Sequence, residues 1–215
     1  MINRRSVAMF RFLALVASVS AASKDWRTGS CLSGVVDSGG AAGRYAGVAS
    51  ATLDAIQCLS PGGSLTRLSL AQIVDCMDTM TENTTVALDY AKQNGLEGEA
   101  DYPETGKREC RYDATKVRTR IASVVAGKGD ASMATALQTS PVVAEIIVGD
   151  EWLEYTGGVL TNCGNSSALI VSVVGVDDSK WIVKGSFGST WGMGGYAEVA
   201  RNACGLGAVF AHAAL

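Results

Sequence analysis

The sequence predicts an α+β protein with two lobes, a mainly helical lobe followed by one made mainly of strands. The first observation is a change of pattern along the chain. Apolar residues recur at helical spacing before about residue 95, whereas β-branched runs dominate after Cys110. The second observation is size, because 215 residues that are 47% hydrophobic suit one compact unit or two small lobes. No internal repeat or flexible linker interrupts this pattern.

Residues 1–22 are predicted to be a secretory signal peptide. The basic residues Arg4, Arg5 and Arg11 accompany an apolar run over 12–19, and small residues follow it. A mitochondrial presequence is the alternative, because the segment contains Arg and Ser and lacks acidic residues. The apolar run is too short for a transmembrane helix, and no later segment is long enough. We therefore expect a secreted, lysosomal or vacuole-like protein with no membrane span after signal removal.

Three helices are predicted for the first lobe, over residues 44–58, 70–76 and about 85–93. The first of them has a buried, alanine-rich face. Ser69 is a predicted N-cap for the second helix, because its hydroxyl can accept a hydrogen bond from the first turn. Gly95 is the predicted left-handed end of the third.

The second lobe is predicted to contain strands over residues 117–125, 142–148, 155–160, 168–176, 181–184 and 196–199, with a short helix near 132–137. The run over 168–176 is almost continuously apolar, as expected for a strand buried on both faces. A final strand-like run contains His212, the only histidine of the chain. These elements place the first lobe in residues 23–112 and the second in residues 113–215.

The six cysteines are expected to form disulfides. None belongs to a CxxC pair, and one histidine leaves little for a zinc site, so neither a metal nor a cofactor is predicted. A secretory destination favours disulfides. The net charge of −3, with scattered Lys and Arg, gives no electrostatic argument for nucleic-acid binding. Two N-x-[ST] tripeptides, at Asn83 and Asn165, are candidate glycosylation sites.

An ordered set of short motifs resembles the papain family of cysteine peptidases, including its cathepsin-like members. The motifs are Asp25-Trp26-Arg27, the helix from Leu68 to Cys76, Tyr102-Pro103, Tyr155-x-Gly157-Gly158-Val159, Cys163-Gly164-Asn165, Trp191-Gly192, Gly195-Tyr196 and Cys204-Gly205-Leu206. They cover nearly the whole chain after the signal peptide, in the family's order. The resemblance implies a papain-like fold, with a helical left lobe, a β-barrel right lobe and a cleft between them.

The resemblance also implies the disulfide pairing. Cys76 is expected to pair with Cys110, and Cys163 with Cys204. Cys31 and Cys58 resemble a bridge of cathepsin-B-like members. The family usually has another disulfide in the helical lobe, and this chain lacks both of its cysteines. Ala41 stands at one position, and the other falls in a shortened stretch over 78–84.

The positions that carry catalysis in this family hold other residues here. Arg44 stands at the nucleophilic cysteine, Leu169 at the histidine and Gly185 at the asparagine of the triad. Ser38 replaces the glutamine that stabilises the oxyanion, and Phe187 replaces a tryptophan. A guanidinium neither attacks a carbonyl nor accepts a proton near neutral pH. We therefore predict no catalytic residue.

Four residues are predicted to line the remaining cleft: Arg44, Glu145, Phe187 and Trp191. A cation at a helix amino terminus is unfavourable, so Arg44 is expected to have an anionic neighbour or ligand. One hypothesis is that Glu145 approaches Arg44 across the cleft. The alternatives are a solvated arginine beside an unrelated glutamate, or a bound anion.

These observations predict a papain-like pseudopeptidase that acts through binding. It is expected to hold a peptide, to occupy a peptidase inhibitor as a decoy, or to serve as a subunit beside a protein partner. One alternative is a structural or storage protein that reuses the scaffold. The other is an enzyme with residual or unconventional peptidase chemistry.

Overall fold

Three helices form the described part of the helical lobe, in the segments where the sequence predicts them. They are α1 (Ala41–Leu59), α2 (Leu70–Cys76) and α3 (Val86–Asn94). The computed structural model describes residues 22–77 and 85–215. The Ser69 hydroxyl accepts a hydrogen bond from the Gln72 amide, which confirms the predicted N-cap of α2. Gly95 ends α3 with a φ of 80°, a conformation that glycine adopts at little cost.

Among the described residues, ten strands accompany these helices: β1 (Lys24–Asp25), β2 (Leu96–Glu97), β3 (Val117–Thr119), β4 (Ser123–Gly127), β5 (Val142–Val148), β6 (Val159–Leu160), β7 (Ser167–Val176), β8 (Lys180–Lys184), β9 (Tyr196–Ala200) and β10 (Phe210–Ala214). Eight of them form one sheet in the order β4-β10-β5-β7-β8-β9-β6, with β1 paired to β7. The other two, β2 and β3, form a small antiparallel pair. Two further helices, α4 (Asp130–Leu137) and α5 (Asp150–Leu153), lie between strands.

The strand lobe differs from its prediction in two places. The strand predicted over 117–125 is two strands, because β3 pairs with β2 whereas β4 pairs with β10. The strand predicted over 155–160 is reduced to β6, and Gly158 before it has a φ of 84°. The short helix α5, which the sequence pattern does not predict, precedes this segment and buries Trp152 completely.

The sheet separates two hydrophobic cores. Alternate residues of β5, such as Val142 and Ile146, face a core that contains Trp181. Residues on the opposite face, such as Val143, join the helical side chains in the second core. The small residues of α1 allow the helix to approach the sheet closely, and the hydroxyl oxygens of Thr52 and Ser172 are 2.9 Å apart. The fold is therefore α+β with two lobes, as predicted.

Three disulfides join the expected partners: Cys31 with Cys58, Cys76 with Cys110, and Cys163 with Cys204. The first two lie in the helical lobe and the third lies in the strand lobe. None of the three crosses between lobes. In the chain-entropy model each contributes about 3–4 kcal/mol to stability.

Three further predictions concern a membrane span, the glycosylation sites and the signal peptide. In the part that the structure describes, no helix has the length and apolarity needed to cross a bilayer. Asn165 is exposed in the turn before β7. The second candidate glycosylation site, Asn83, and the predicted signal peptide up to residue 21 lie outside the described residues.

Candidate functional site

The site begins at the first turn of α1, where Arg44 lies. Its backbone amide donates to the Gly40 carbonyl oxygen at 3.1 Å. The guanidinium folds back, since Nη1 donates to the Gly39 carbonyl oxygen at 2.9 Å. The guanidinium carbon also lies 5.6 Å from the centre of the Phe187 ring, within cation–π range. A carbonyl oxygen and an aromatic face thus offset the unfavourable placement of this cation.

A cluster of aromatic rings fills the space beside Gly185. The centre of the Trp191 ring lies 4.8 Å from that of Trp152 and 5.0 Å from that of Phe187. Trp191 Nε1 donates to the Trp152 carbonyl oxygen at 3.1 Å, which fixes the indole. A Cβ atom on Gly185 would lie 2.8 Å from Cζ3 of Trp191 and 3.2 Å from Cδ2 of Phe187. The cluster therefore leaves no room for a side chain at residue 185.

Replacing Gly185 with alanine is expected to lower the free energy of unfolding by about 1–3 kcal/mol, because the new methyl overpacks the ring cluster. Gly34→Ala is the matched control, since a Cβ there would meet no atom within 4 Å. Urea unfolding followed by tryptophan fluorescence measures both variants. Equal stability of the two would show that the rings move aside freely.

Leu169 lies on β7 opposite Ile146 and packs against the core of the strand lobe. Its side chain is a hydrocarbon and cannot carry a proton. His212 lies on a different strand, β10, opposite Val125. The chain therefore has no imidazole at the position that the resemblance assigns to a base.

Ser38 lies between the two lobes, where its amide donates to the Ser186 carbonyl oxygen at 3.2 Å. Its hydroxyl oxygen is buried and has no hydrogen-bond partner among the described residues. A Cβ on Gly47 of α1 would lie only 2.2 Å from that oxygen. The absence of a side chain at Gly47 thus allows the loop before α1 to pack on the helix.

Glu145 lies on β5 opposite Ile170, and its amide donates to the Val209 carbonyl oxygen. Among the ion pairs of the described residues, none joins Glu145 to Arg44. The hypothesis of an ion pair across the cleft is therefore wrong. The Arg44 guanidinium is instead directed to the Gly39 carbonyl oxygen and the Phe187 ring.

A buried polar network adjoins the site and was not singled out from the sequence. Lys184, the residue before Gly185, is 2% exposed, and its Nζ donates to the Ser33 carbonyl oxygen at 2.6 Å. Asp54 of α1 is 3% exposed and accepts a hydrogen bond from the Leu68 amide at 2.7 Å. The Ser33 hydroxyl hydrogen-bonds to both groups. The available signal in the sequence was that Asp54 and Lys184 each lie in an otherwise apolar run.

Burial shifts the pKa of both charged groups in this network. It raises the pKa of Asp54 to about 6, against the opposing effects of its hydrogen bonds from Leu68 and Ser33 and of the nearby charges on Lys184 and Arg67. Burial lowers the pKa of Lys184 to about 8, although the charge on Asp54 acts in the opposite direction. The network thus joins a helix of one lobe to a strand of the other at an electrostatic cost.

No three His, Cys, Asp or Glu side chains are placed to hold a metal within residues 22–77 and 85–215.

Comparison with known proteins identifies relatives across almost the whole chain. A family model described as "Papain family cysteine protease" matches residues 20–213. Thiol protease aleurain from Arabidopsis thaliana is 30% identical over 205 residues, which is 85% of this chain and 57% of that protein. Cathepsin R from Mus musculus is 31% identical over 213 residues, covering 87% of this chain and 63% of its own length. The chain thus spans about three fifths of these curated relatives.

Solved structures give the same result for the fold. Procathepsin L 3 from the larval midgut of Tenebrio molitor superposes with a TM-score of 0.80 at 28% identity, covering 93% of this chain and 72% of that one. Bromelain protease from Ananas comosus, solved with the E64 inhibitor, has a TM-score of 0.81 at 25% identity and covers 90% and 98% of the two chains. These values match the two-lobed architecture described above.

Proposed function

The chain belongs to the papain family of cysteine proteases, and from this premise we propose that it is a non-catalytic member, which binds a peptide or a protein partner without hydrolysing it. In this proposal Arg44, Leu169 and Gly185 occupy the positions of the catalytic triad, and Ser38 occupies that of the oxyanion donor. The protein would act as a decoy for a peptidase inhibitor, as a regulator, or as a subunit of a complex.

The observation that carries the proposal is the filled space beside Gly185. An asparagine that orients a catalytic histidine needs a side chain at this position, whereas Trp191 and Phe187 already occupy the volume of its Cβ. This packing supports a site that no longer orients a catalytic histidine.

The state of the cysteines supports the same proposal. Papain-type hydrolysis needs a free thiolate beside a base. All six cysteines of the chain are in disulfides, so no thiol is available as a nucleophile. An ordinary or residual peptidase remains the second candidate function, and the names of the relatives, which are proteases and cathepsins, favour it.

The location of the protein belongs to the same proposal. Three disulfides favour an oxidising compartment, which fits a signal peptide over residues 1–22 and a secreted, lysosomal or vacuole-like destination. The exposed Asn165 would be accessible to a glycan there. A shift in mass after enzymatic deglycosylation of the protein from a eukaryotic host would test this modification.

The activity test exposes the purified, disulfide-intact protein to E64 and to a mixed library of fluorogenic peptides. We expect no covalent adduct by intact-protein mass spectrometry and no hydrolysis. Bromelain, treated in parallel, shows that the reagents work. An E64 adduct on this chain, or hydrolysis that persists in Arg44→Ala, would overturn the proposal.

The variant Arg44→Cys separates the missing nucleophile from the missing base. It adds one free thiol at the start of α1, which iodoacetamide should alkylate. We still expect no peptide hydrolysis, because Leu169 cannot take the thiol proton and Gly185 cannot orient a base. Hydrolysis by this variant would show that the remaining site is competent and that only the nucleophile was lost.

A further inference from the structure

A groove of about 630 Å³ opens beside the first turn of α1. Its walls are the loop over residues 37–40 with Gly43 of α1, one face of α2, and the loop over residues 104–108. Side chains of α2, among them Leu70 and Val74, provide an apolar floor. We call this feature the acidic groove, because its lining contains three carboxylates and one arginine: Asp37, Asp75, Glu104 and Arg108.

The three carboxylates differ in how far they are neutralised. The Asp75 side chain is 8% exposed, accepts a hydrogen bond from the Tyr102 hydroxyl at 3.1 Å and lies 3.8 Å from the Arg111 guanidinium. Its charge is therefore compensated inside the protein. Asp37 and Glu104 take part in none of the ion pairs found among the described residues. Asp37 only accepts a hydrogen bond from the Gly39 amide, at 3.1 Å.

The two uncompensated carboxylates lie at the same end of the groove. Asp37, Glu104 and Leu70 also line a smaller neighbouring cavity of about 130 Å³, so these residues form the boundary between the two spaces. This boundary combines an aliphatic side chain with two negative charges. A long cationic side chain has the complementary composition, since its stem is apolar and its end is charged.

We propose that the acidic groove binds a lysine or arginine side chain from an extended peptide segment of the partner. The aliphatic stem would lie on Leu70 and Val74, and the cation would lie between Asp37 and Glu104. Among the residues that line the groove, Arg108 is the one cation against two free carboxylates, which disfavours an acidic ligand. Arg67 lines the neighbouring cavity but lies 3.3 Å from Glu99, which offsets its charge. This inference rests on the proposed binding function and adds the chemical class of the ligand.

The test measures binding of fluorescein-labelled pentapeptides by fluorescence anisotropy at low salt. The peptides have the sequence Ala-Ala-X-Ala-Ala, with lysine, norleucine or glutamate at X. We expect the lysine peptide to bind at least about tenfold more tightly than the norleucine peptide, with the preference falling as salt is added. The double variant Asp37→Asn/Glu104→Gln should lose this preference, whereas its Asn side chain can still accept from Gly39.

The matched control is Asp150→Asn/Glu154→Gln, which removes two negative charges from exposed residues of the strand lobe. It should keep the preference for lysine. Equal binding of the lysine and norleucine peptides, no binding of any peptide, or an unchanged preference in the groove variant would each overturn the inference. Hydrolysis of a bound peptide would instead overturn the non-catalytic function and leave the lysine preference to be judged separately.

Discussion

Replacing Lys184 with methionine is expected to lower the free energy of unfolding by about 3–5 kcal/mol at pH 7 and by much less at pH 5. The variant keeps a side chain of similar length but removes the positive charge near Asp54. At pH 7 the Asp54 carboxylate is then buried without its nearest cation in the network. Urea unfolding at the two pH values measures the difference.

The pH window follows from the two shifted groups. Burial raises the pKa of Asp54 from 3.8 to about 6, so the folded protein holds this proton more tightly than the unfolded chain does. Its contribution to stability is complete below pH 3.8 and is lost as the pH rises through about 6. The pKa of Lys184 falls from 10.5 to about 8, so its contribution is complete above pH 10.5 and is lost as the pH falls through about 8. Between pH 6 and 8 both groups are charged and each depends on the other.

The double variant Asp54→Asn/Lys184→Met provides the control. An asparagine oxygen can still accept from the Leu68 amide, and no buried charge remains. We expect this protein to recover most of the lost stability and to show little pH dependence between pH 5 and 7. An equal deficit of the single variant at both pH values would mean that Lys184 acts through packing rather than charge.

The second large effect is expected for Trp191→Ala, which should cost about 3–5 kcal/mol of stability. The substitution removes the indole from contact with Trp152, Tyr155 and Phe187, and it removes the hydrogen bond to the Trp152 carbonyl oxygen. Leu153→Ala is the control, because Leu153 is 59% exposed and its truncation should change stability by less than about 0.5 kcal/mol.

The same variant tests whether Trp191 is what occupies the space beside Gly185. In a protein that already carries Trp191→Ala, Gly185→Ala should lower the free energy of unfolding by much less than the loss of about 1–3 kcal/mol expected for Gly185→Ala in the unmodified protein, because the nearest ring is gone. The coupling between the two substitutions is then the measured quantity. Strictly additive losses would show that the methyl at residue 185 meets some other obstacle.

Local signals in the sequence were enough for several elements. The bounds of α2 and β5 agree with their predictions to the residue, because Ser69 marks the start of the helix and the β-branched run over 142–148 has no competing pattern. The break between β3 and β4 has no such signal. It arises because the two halves of that segment pair with different strands, β2 and β10, one of which lies about 90 residues further along the chain.

In the site, too, features set by local sequence were predictable, whereas contacts between distant segments were not. Motif positions were enough to single out Arg44 and Gly185, whereas the rings that fill the space beside Gly185 depend on where Trp191 and Trp152 meet. Lys184 and Asp54 are separated by most of the chain, so their shared environment could not be predicted from spacing. The predicted Arg44–Glu145 pair is wrong, and the guanidinium instead contacts the carbonyl oxygen of Gly39, five residues earlier in the chain, and the Phe187 ring.

The position of β10 has a consequence for how the protein is made. This strand lies between β4 and β5, and its alanines Ala211 and Ala213 belong to the core shared with the helices. Phe210 of the same strand belongs to the other core, so neither core is complete until β10 has left the ribosome. Until then the nascent chain lacks the strand that joins β4 to β5, and a chaperone that shields the edges of these two strands would protect the sheet while it is incomplete.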